Sequence, residues 1–194
     1  MHKASRLIIV HGWMGTPTRD WLAWVKSGLR DEDVVVKIPM MPNTNRPKIE
    51  EWNRHLAKVV GKPDENLFLI GHSIGGRLLL RYLEGIDAKI GGAIIVASWL
   101  DKRAKPFKLK SNAKMMAPWL DTPIDWRAIK RHSNQFTAIY SDNDAYVPMS
   151  AAQTIKRKLN AKVVVLHNKG HIDQTTSPPI LKEIKRMLKS AEKD

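Results

Sequence analysis

The centre of the chain reads Leu67-Phe68-Leu69-Ile70-Gly71-His72-Ser73-Ile74-Gly75-Gly76, and the apolar run Arg77–Leu83 follows it. The five residues from Gly71 match the pattern G-x-S-x-G, which is typical of a sharp turn between a strand and a helix. The glycines leave room where a Cβ would clash, and the serine takes a strained conformation that lifts its hydroxyl group above the sheet. The apolar residues before the turn suit a strand and those after it suit a helix. We therefore expect Ser73 to be a nucleophile rather than only a helix N-cap.

Apolar runs rich in β-branched residues alternate along the whole chain with segments of helical period. The strands predicted from these runs are Arg6–Val10, Val34–Ile38, Asn66–Ile70, Gly92–Ala97, Phe136–Ser141 and Lys162–His167. The predicted helices are Arg19–Arg30, Lys48–Val60, Ile74–Glu84, Asp125–Arg131, Pro148–Leu159 and Pro179–Lys189. Most of the strands are continuously apolar, as strands buried on both faces are. The alternation predicts an α/β fold with a parallel sheet and helices on both faces.

The length of 194 residues suits a single domain, and we expect residues 1–194 to form it. The longest segment without a clear element, residues 99–122, is predicted to be a small cap, because such loops are usually functional or partly helical. The chain contains no cysteine, which excludes disulfides, thiolate metal sites and a cysteine nucleophile. The lack of cysteine fits a reducing compartment, so we expect a cytoplasmic protein.

The chain is strongly basic, with 33 lysines and arginines against 19 acidic residues and a formal net charge of +14. These charges are spread over most segments, and no nucleic-acid-binding motif accompanies them. We therefore expect a basic surface without a nucleic-acid partner. No apolar run approaches the ~18 residues of a membrane-spanning helix, so we expect no membrane segment.

Two later strand ends carry the groups that an active serine needs, a base and an acid that orients it. In open parallel sheets, functional residues follow the carboxyl ends of the strands. Asp144 follows the fifth predicted strand and His171 follows the sixth. Asp142 is an alternative acid, but the spacing of Asp144 to Pro148 suits a helix start. Asp173 is a weaker alternative.

A metal site is an alternative use of the histidine region, since His167, His171 and Asp173 lie close in sequence. These two histidines would straddle a strand end and a glycine loop rather than share one helix face, so we expect no metal. Among the other histidines, we expect His11 and His72 to be packed near the site, and the surface set to be His2, His55 and His132.

Several motifs together resemble those of the small serine hydrolases related to retinoblastoma-binding protein nine, a single-domain branch of the α/β-hydrolase superfamily. They run across nearly the whole chain and are His11-Gly12, the Trp21–Val25 helix, Gly71–Gly75, Asp144-Ala145-Tyr146-Val147-Pro148 and Gly170-His171. The resemblance implies a six-stranded, mostly parallel sheet of order 2-1-3-4-5-6 with a minimal cap. It also implies that the acid is the aspartate of D-x-x-V-P, which is Asp144.

The resemblance and the chemistry of such sites assign the remaining groups. Ser73 would attack a carbonyl carbon, His171 would act as the base and Asp144 would orient it. The oxyanion would be bound by the backbone N–H groups of Ile74 and Trp13. The predicted substrate pocket contains apolar side chains from the strand-end loops and the cap, namely Met14, Met41, Trp99, Trp119 and Tyr146.

The predicted function is hydrolysis of carboxylic esters or related acyl bonds through an acyl-enzyme intermediate, without a metal or cofactor. The alternatives are a peptidase or amidase with the same triad, and a non-catalytic binding protein that uses its basic surface. The expected partner is a small ester or acyl substrate. The basic run Lys102–Lys114 would favour an anionic one if it lies over the site.

Overall fold

A computed structural model of the protein describes residues 4–100 and 110–191. Its strands are β1 (Ser5–Val10), β2 (Val34–Lys37), β3 (Leu67–His72), β4 (Gly92–Val96), β5 (Phe136–Ser141) and β6 (Lys162–Leu166). Its helices are α1 (Leu22–Gly28), α2 (Ile49–Val60), α3 (Ile74–Glu84), α4 (Lys110–Asp121), α5 (Trp126–Lys130), α6 (Ser150–Leu159) and α7 (Pro178–Ala191).

The six strands form one sheet of order β2-β1-β3-β4-β5-β6, in which every neighbouring pair is parallel. This confirms the predicted α/β-hydrolase sheet and its strand order. All residues of β3, β4 and β5 are buried, as their continuous apolar sequences predicted. The edge strands β2 and β6 are partly exposed.

Helices cover both faces of the sheet and bury two separate apolar cores. Alternate residues of β1 show the division, since Ile8 and Val10 belong to one core and Leu7 and Ile9 to the other. The first core contains side chains of α2, α3, α4 and α6, and the second contains side chains of α1 and α7. Strands β1, β3, β4 and β5 thus have apolar side chains for each face, which is why the alternation of polar and apolar residues is missing from their sequences.

Two elements differ from the sequence prediction. Helix α1 begins at Leu22 instead of Arg19, because Asp20 adopts a left-handed backbone with φ 56° that a right-handed helix cannot contain. Part of the predicted cap is helical, since α4 occupies residues 110–121 with Pro118 inside it. Residues 101–109, which hold most of the basic run, lie outside the described residues.

Helix α4 is joined to α3 by a buried cation. The Arg77 side chain is 1% exposed, and it donates from Nε to the carbonyl oxygen of Trp119 at 2.8 Å and from NH2 to that of Thr122 at 3.1 Å. Burial, together with the neighbouring Arg81, lowers the pKa of Arg77 to about 10. Because the carbonyl end of a helix carries partial negative charge, it is a favourable partner for this cation.

One histidine prediction is wrong. His132 was expected at the surface, but it is 2% exposed and its Nδ1 lies 2.8 Å from the carbonyl oxygen of Ala88. The prediction that His11 and His72 are packed is confirmed, with exposures of 1% and 3%. None of the helices in the described part of the chain is long and apolar enough to cross a membrane.

Candidate active site

Ser73 lies at the turn between β3 and α3, in a backbone conformation that serine rarely adopts. Its φ of 55° and ψ of −120° are strained for a residue with a Cβ, and its N–H donates to the carbonyl oxygen of Val96 at 2.8 Å. The turn can be this tight only because glycines flank it. A Cβ on Gly71 would lie 2.5 Å from the backbone of Gly75, and one on Gly75 would lie 2.5 Å from the carbonyl oxygen of Val10.

The three side chains predicted for the triad lie in one hydrogen-bonded line. His171 Nε2 is 2.9 Å from Ser73 Oγ, and His171 Nδ1 is 2.8 Å from Asp144 Oδ2. The side chain of Asp144 is fully buried and that of His171 is 17% exposed. A carboxylate accepts hydrogen bonds only, so Nδ1 carries the proton and the lone pair of Nε2 faces the serine hydroxyl. This is the arrangement in which a histidine can take a proton from serine.

Two backbone groups hold the Asp144 carboxylate in place. Oδ1 accepts from the N–H of Tyr146 at 2.7 Å and from that of Val147 at 3.0 Å, which leaves Oδ2 for the histidine. The D-x-x-V-P sequence thus forms a turn that points the acid toward His171. The ring of Tyr146 lies edge-on to the imidazole at a centroid distance of 5.2 Å.

Asp142, the alternative acid, contacts another histidine. Its Oδ2 lies 2.6 Å from His167 Nδ1, and its Oδ1 accepts from the N–H of Asn168 at 2.9 Å. The Asn168 N–H and the neighbouring imidazole lower the pKa of the Asp142 carboxyl. The two histidines of the metal alternative are therefore engaged in different pairs. Among residues 4–100 and 110–191, no group of three or more acidic or histidine side chains could hold a metal ion.

Asp142 belongs to a clasp that sequence reasoning missed. Three successive side chains at the end of β5 accept hydrogen bonds from three successive backbone N–H groups after β6. The pairs are Asp142 with Asn168 at 2.9 Å, Ser141 Oγ with Lys169 at 2.9 Å and Asn143 Oδ1 with Gly170 at 2.8 Å. The clasp fixes the loop that leads into His171. The short polar run Ser-Asp-Asn was its only sequence signal.

His72 holds the backbone of His171 through a hydrogen bond. Its Nε2 lies 2.9 Å from the carbonyl oxygen of His171, and the two rings lie 5.2 Å apart. Burial, together with the nearby His171 ring, lowers the pKa of His72 to about 3. His72 is therefore neutral and donates from Nε2, while its buried Nδ1 has no partner within the described part of the chain.

Trp21 holds the backbone of Ile172, the residue after His171. Its indole Nε1 donates to the carbonyl oxygen of Ile172 at 3.1 Å across 151 residues of sequence, and the ring is fully buried. Ile172 has φ 57°, a strained conformation for a β-branched residue, and it is also fully buried. The Trp-x-x-Trp helix of the sequence thus supplies a tether for the histidine loop.

The loop after β1 carries the predicted oxyanion donor. Met14 N–H donates to the carbonyl oxygen of Thr44 at 2.9 Å, and Gly15 N–H donates to that of Gly12 at 3.1 Å. The N–H of Trp13, directly before them in the chain, has no hydrogen-bond partner among the described residues. Ile74 is the first residue of α3, so its N–H has no partner inside the helix. Both predicted donors therefore remain available to a bound oxygen.

His11 supports this loop. Its Nδ1 lies 2.8 Å from the carbonyl oxygen of Gly12, and its Nε2 accepts from the N–H of Met41 at 3.1 Å. Burial lowers the pKa of His11, so the ring is neutral with its proton on Nδ1. His11 thus joins the loop after β1 to the loop after β2.

The five predicted pocket residues are divided between surface, cleft and core. Met14 and Tyr146 are exposed at 58% and 51%, on loops beside the triad. Trp119 is buried and lines a cleft of about 630 Å³ together with the Trp13 side chain. Met41 and Trp99 are buried in the core and do not line that cleft.

Comparison with known proteins identifies the family. A family model described as serine hydrolase matches residues 7–190. YdeN of Bacillus subtilis (strain 168) is 26% identical over 93% of this chain and 94% of its own, and the serine hydrolase RBBP9 of Rattus norvegicus is 24% identical over 98% and 100%.

Solved structures share the fold. The crystal structure of the B. subtilis ydeN gene product superposes with a TM-score of 0.87, covering 95% of this chain and 99% of the other at 24% identity. A protein from a study of carboxylesterases of Nitrososphaera gargenis superposes with a TM-score of 0.77, covering 99% and 92% at 14% identity. The chain is an α/β-hydrolase-fold enzyme and belongs to the serine hydrolase family, in its RBBP9-like branch.

Proposed function

We propose that the protein hydrolyses carboxylic esters through an acyl-enzyme intermediate, with Ser73 as nucleophile, His171 as base and Asp144 as the orienting acid. The observation that carries the proposal is the unbroken line from Ser73 Oγ through both nitrogens of His171 to Asp144 Oδ2, at 2.9 and 2.8 Å. The carboxylesterase that shares the fold supports the choice of ester bonds.

The first half of the reaction forms the acyl-enzyme. Ser73 Oγ attacks the ester carbonyl carbon while its proton passes to His171 Nε2, and the carbonyl oxygen becomes an oxyanion. The N–H groups of Trp13 and Ile74 donate to this oxygen, whose charge is greatest in the transition state. The carbon–oxygen bond to the alcohol then breaks, and the alcohol leaves with the proton from Nε2.

The second half consumes one water molecule. His171 Nε2 takes a proton from the water as its oxygen attacks the acyl carbon, and the bond to Ser73 Oγ breaks. The serine recovers its proton from the imidazolium, and the carboxylic acid is released. Asp144 stabilises the imidazolium in both halves and keeps its own negative charge.

We also propose that residues 99–122 form a small cap on a single domain. The described part of this segment includes α4, whose residues line the cleft beside Trp13. Its Met116 and Trp119 side chains are buried in the same core as α2 and α3. The cap is therefore packed onto the domain rather than held away from it.

The proposal is tested by labelling the purified protein with a fluorophosphonate and by following the hydrolysis of 4-nitrophenyl butyrate. We expect Ser73→Ala to abolish labelling and to lower kcat by more than about 10⁴-fold. Ser150→Ala, which changes an exposed serine at the start of α6, is the matched control and retains both. Undiminished ester turnover in Ser73→Ala would refute the proposal.

The choice of acid is tested by a second matched pair. Asp144→Asn favours the wrong histidine tautomer, so we expect kcat to fall by about 10⁴-fold. Asp142→Asn keeps an oxygen for the Asn168 N–H, and its effect should stay below about tenfold. The reverse order of the two effects would assign the acid to Asp142.

A further inference from the structure

A cleft of about 630 Å³ opens beside the oxyanion loop. It lies between that loop, the segment 45–50 that leads into α2, and α4. Its apolar lining consists of Trp13, Pro47, Ile49, Met115, Pro118 and Trp119. The loop that lines the cleft also runs close to the nucleophile, at Gly12, the residue before Trp13. A Cβ added to Gly12 would lie 3.3 Å from Ser73 Cβ.

Hydrogen bonds hold the two tryptophans of this cleft in place. Trp13 Nε1 donates to the carbonyl oxygen of Asn45 at 3.2 Å, and Trp119 Nε1 donates to that of Pro47 at 3.1 Å. Both indoles are therefore hydrogen-bonded to the backbone of the same segment, residues 45–47. Apolar walls with a few fixed polar groups are characteristic of a preformed ligand site.

The charged groups at the edge of the cleft are mainly cationic. Arg46 lines it, is exposed, and has neither a hydrogen bond nor an ion pair from its guanidinium among the described residues. Lys48 also lines the cleft and forms an ion pair with Glu51 at 2.9 Å. Glu50 is the only acidic residue of the lining. Lys114 adds a further exposed cation, one helical turn before Pro118 on the same side of α4.

We propose that this cleft binds the acyl group of the substrate and selects acyl chains that end in a carboxylate, which pairs with Arg46. The substrate class is then a half-ester of a dicarboxylic acid, with an apolar chain between the ester and the free acid. The chain packs on the accessible apolar lining residues Trp13, Met115 and Pro118, and the carboxylate meets the two parallel N–H groups that a guanidinium offers. This inference rests on the proposed esterase function and specifies its substrate.

The experiment compares two 4-nitrophenyl esters of equal chain length, the octanoate and the half-ester of suberic acid, each below its micelle concentration. The measured quantity is the kcat/KM for the half-ester divided by the kcat/KM for the octanoate. We expect the wild-type enzyme to favour the half-ester, and Arg46→Gln to lower the ratio by about fivefold, the effect of a solvent-accessible ion pair. The preference should also weaken at high salt.

Arg157→Gln is the matched control, because it removes the same charge from an exposed position on α6. If Arg46 is a specific partner, only its own variant lowers the ratio. A series of half-esters from adipate to sebacate adds a length test, since the Arg46 side chain reaches only a limited distance from its backbone and pairing with it favours an intermediate length. Attraction by the net charge of +14 alone would be independent of chain length.

The outcomes separate this inference from the proposed function. Equal ratios in Arg46→Gln and Arg157→Gln, or a preference that does not vary with chain length, would overturn the carboxylate site while Ser73-dependent octanoate turnover continued. Absence of turnover for every ester, together with absence of fluorophosphonate labelling, would instead overturn the esterase function and this inference with it.

Discussion

Replacement of Trp21 by phenylalanine removes the tether of the histidine loop while it keeps an aromatic ring in the core. The carbonyl oxygen of Ile172, which is fully buried, loses the indole N–H that it accepts at 3.1 Å. An unpaired buried carbonyl costs about 1–3 kcal/mol. The smaller ring leaves a void in a fully buried position, which costs about 1–2 kcal/mol more. We therefore expect a loss of about 2–5 kcal/mol in the free energy of unfolding.

Trp24→Phe provides the matched control on the same helix. Trp24 is partly buried against the same core, and its indole has no hydrogen-bond partner among the described residues. The same ring change there costs about 1 kcal/mol. Most of the difference between the two variants therefore comes from the lost hydrogen bond, with a smaller part from the deeper burial of Trp21. Urea unfolding followed by circular dichroism measures it without relying on tryptophan fluorescence.

The tether should also affect turnover. Ile172 is strained at φ 57° and directly follows the proposed base, so its release displaces the imidazole. A misplacement of about 1 Å can cost about 10²-fold in rate. We expect Trp21→Phe to lower kcat by about 10- to 100-fold with little change in KM, measured where both variants are folded. Equal kcat values in Trp21→Phe and Trp24→Phe would refute the positioning argument.

Three further predictions follow from close contacts and burial. Gly15→Ala should lower kcat by about 10- to 100-fold in ester turnover, because the added Cβ would lie 2.9 Å from the carbonyl oxygen of Gly12. Gly85→Ala is the control and should retain activity, because the nearest atom to its added Cβ is 3.8 Å away. His72 has its pKa lowered to about 3, so the unfolded state binds the proton first and stability falls from about pH 6.5 toward pH 3. His72→Gln should reduce that slope by up to about 1.4 kcal/mol per pH unit in urea titrations. Arg77→Met leaves the carbonyl oxygen of Trp119 without its donor, and we expect thermal unfolding to show a loss of about 1–3 kcal/mol.

Local chemistry made the sheet and the nucleophile turn predictable. The buried strands are readable because each needs apolar side chains toward both cores, as Leu69 and Ile70 of β3 illustrate. The turn at Ser73 is readable because the required glycines are its immediate neighbours in sequence. In both cases the information lies within a few adjacent residues, which is the range over which a pattern can be interpreted.

The contacts that position His171 were not predictable, because they join residues far apart in the chain. Trp21 and Ile172 are 151 positions apart, and no period or motif relates them. Trp21 entered the sequence analysis only as part of a helical motif, which did not indicate this hydrogen bond. His132 illustrates the converse error, since a histidine flanked by Arg131 and Ser133 looks exposed although its ring is buried.

The cleft shows the same limit for substrate binding. Met41 and Trp119 are both apolar residues in predicted loop regions, and their sequence contexts do not distinguish them. The structure buries Met41 in the core and places Trp119 on the cleft wall, because the carbonyl oxygen of Pro47 fixes its indole. The sequence did not indicate a binding role for Arg46, because nothing distinguishes it from the other cations of a basic chain.

The number of contacts on the histidine loop has a physical explanation in the sheet order. Ser73 follows β3, which has a strand on each side, and the tight turn fixes its position locally. His171 follows β6, an edge strand with one neighbour and partly exposed residues. A loop after an edge strand has fewer surrounding elements to restrain it. Three sets of contacts supply that restraint, from the clasp at the end of β5, from His72 and from Trp21. The position of the proposed base therefore depends on residues that take no part in the chemistry.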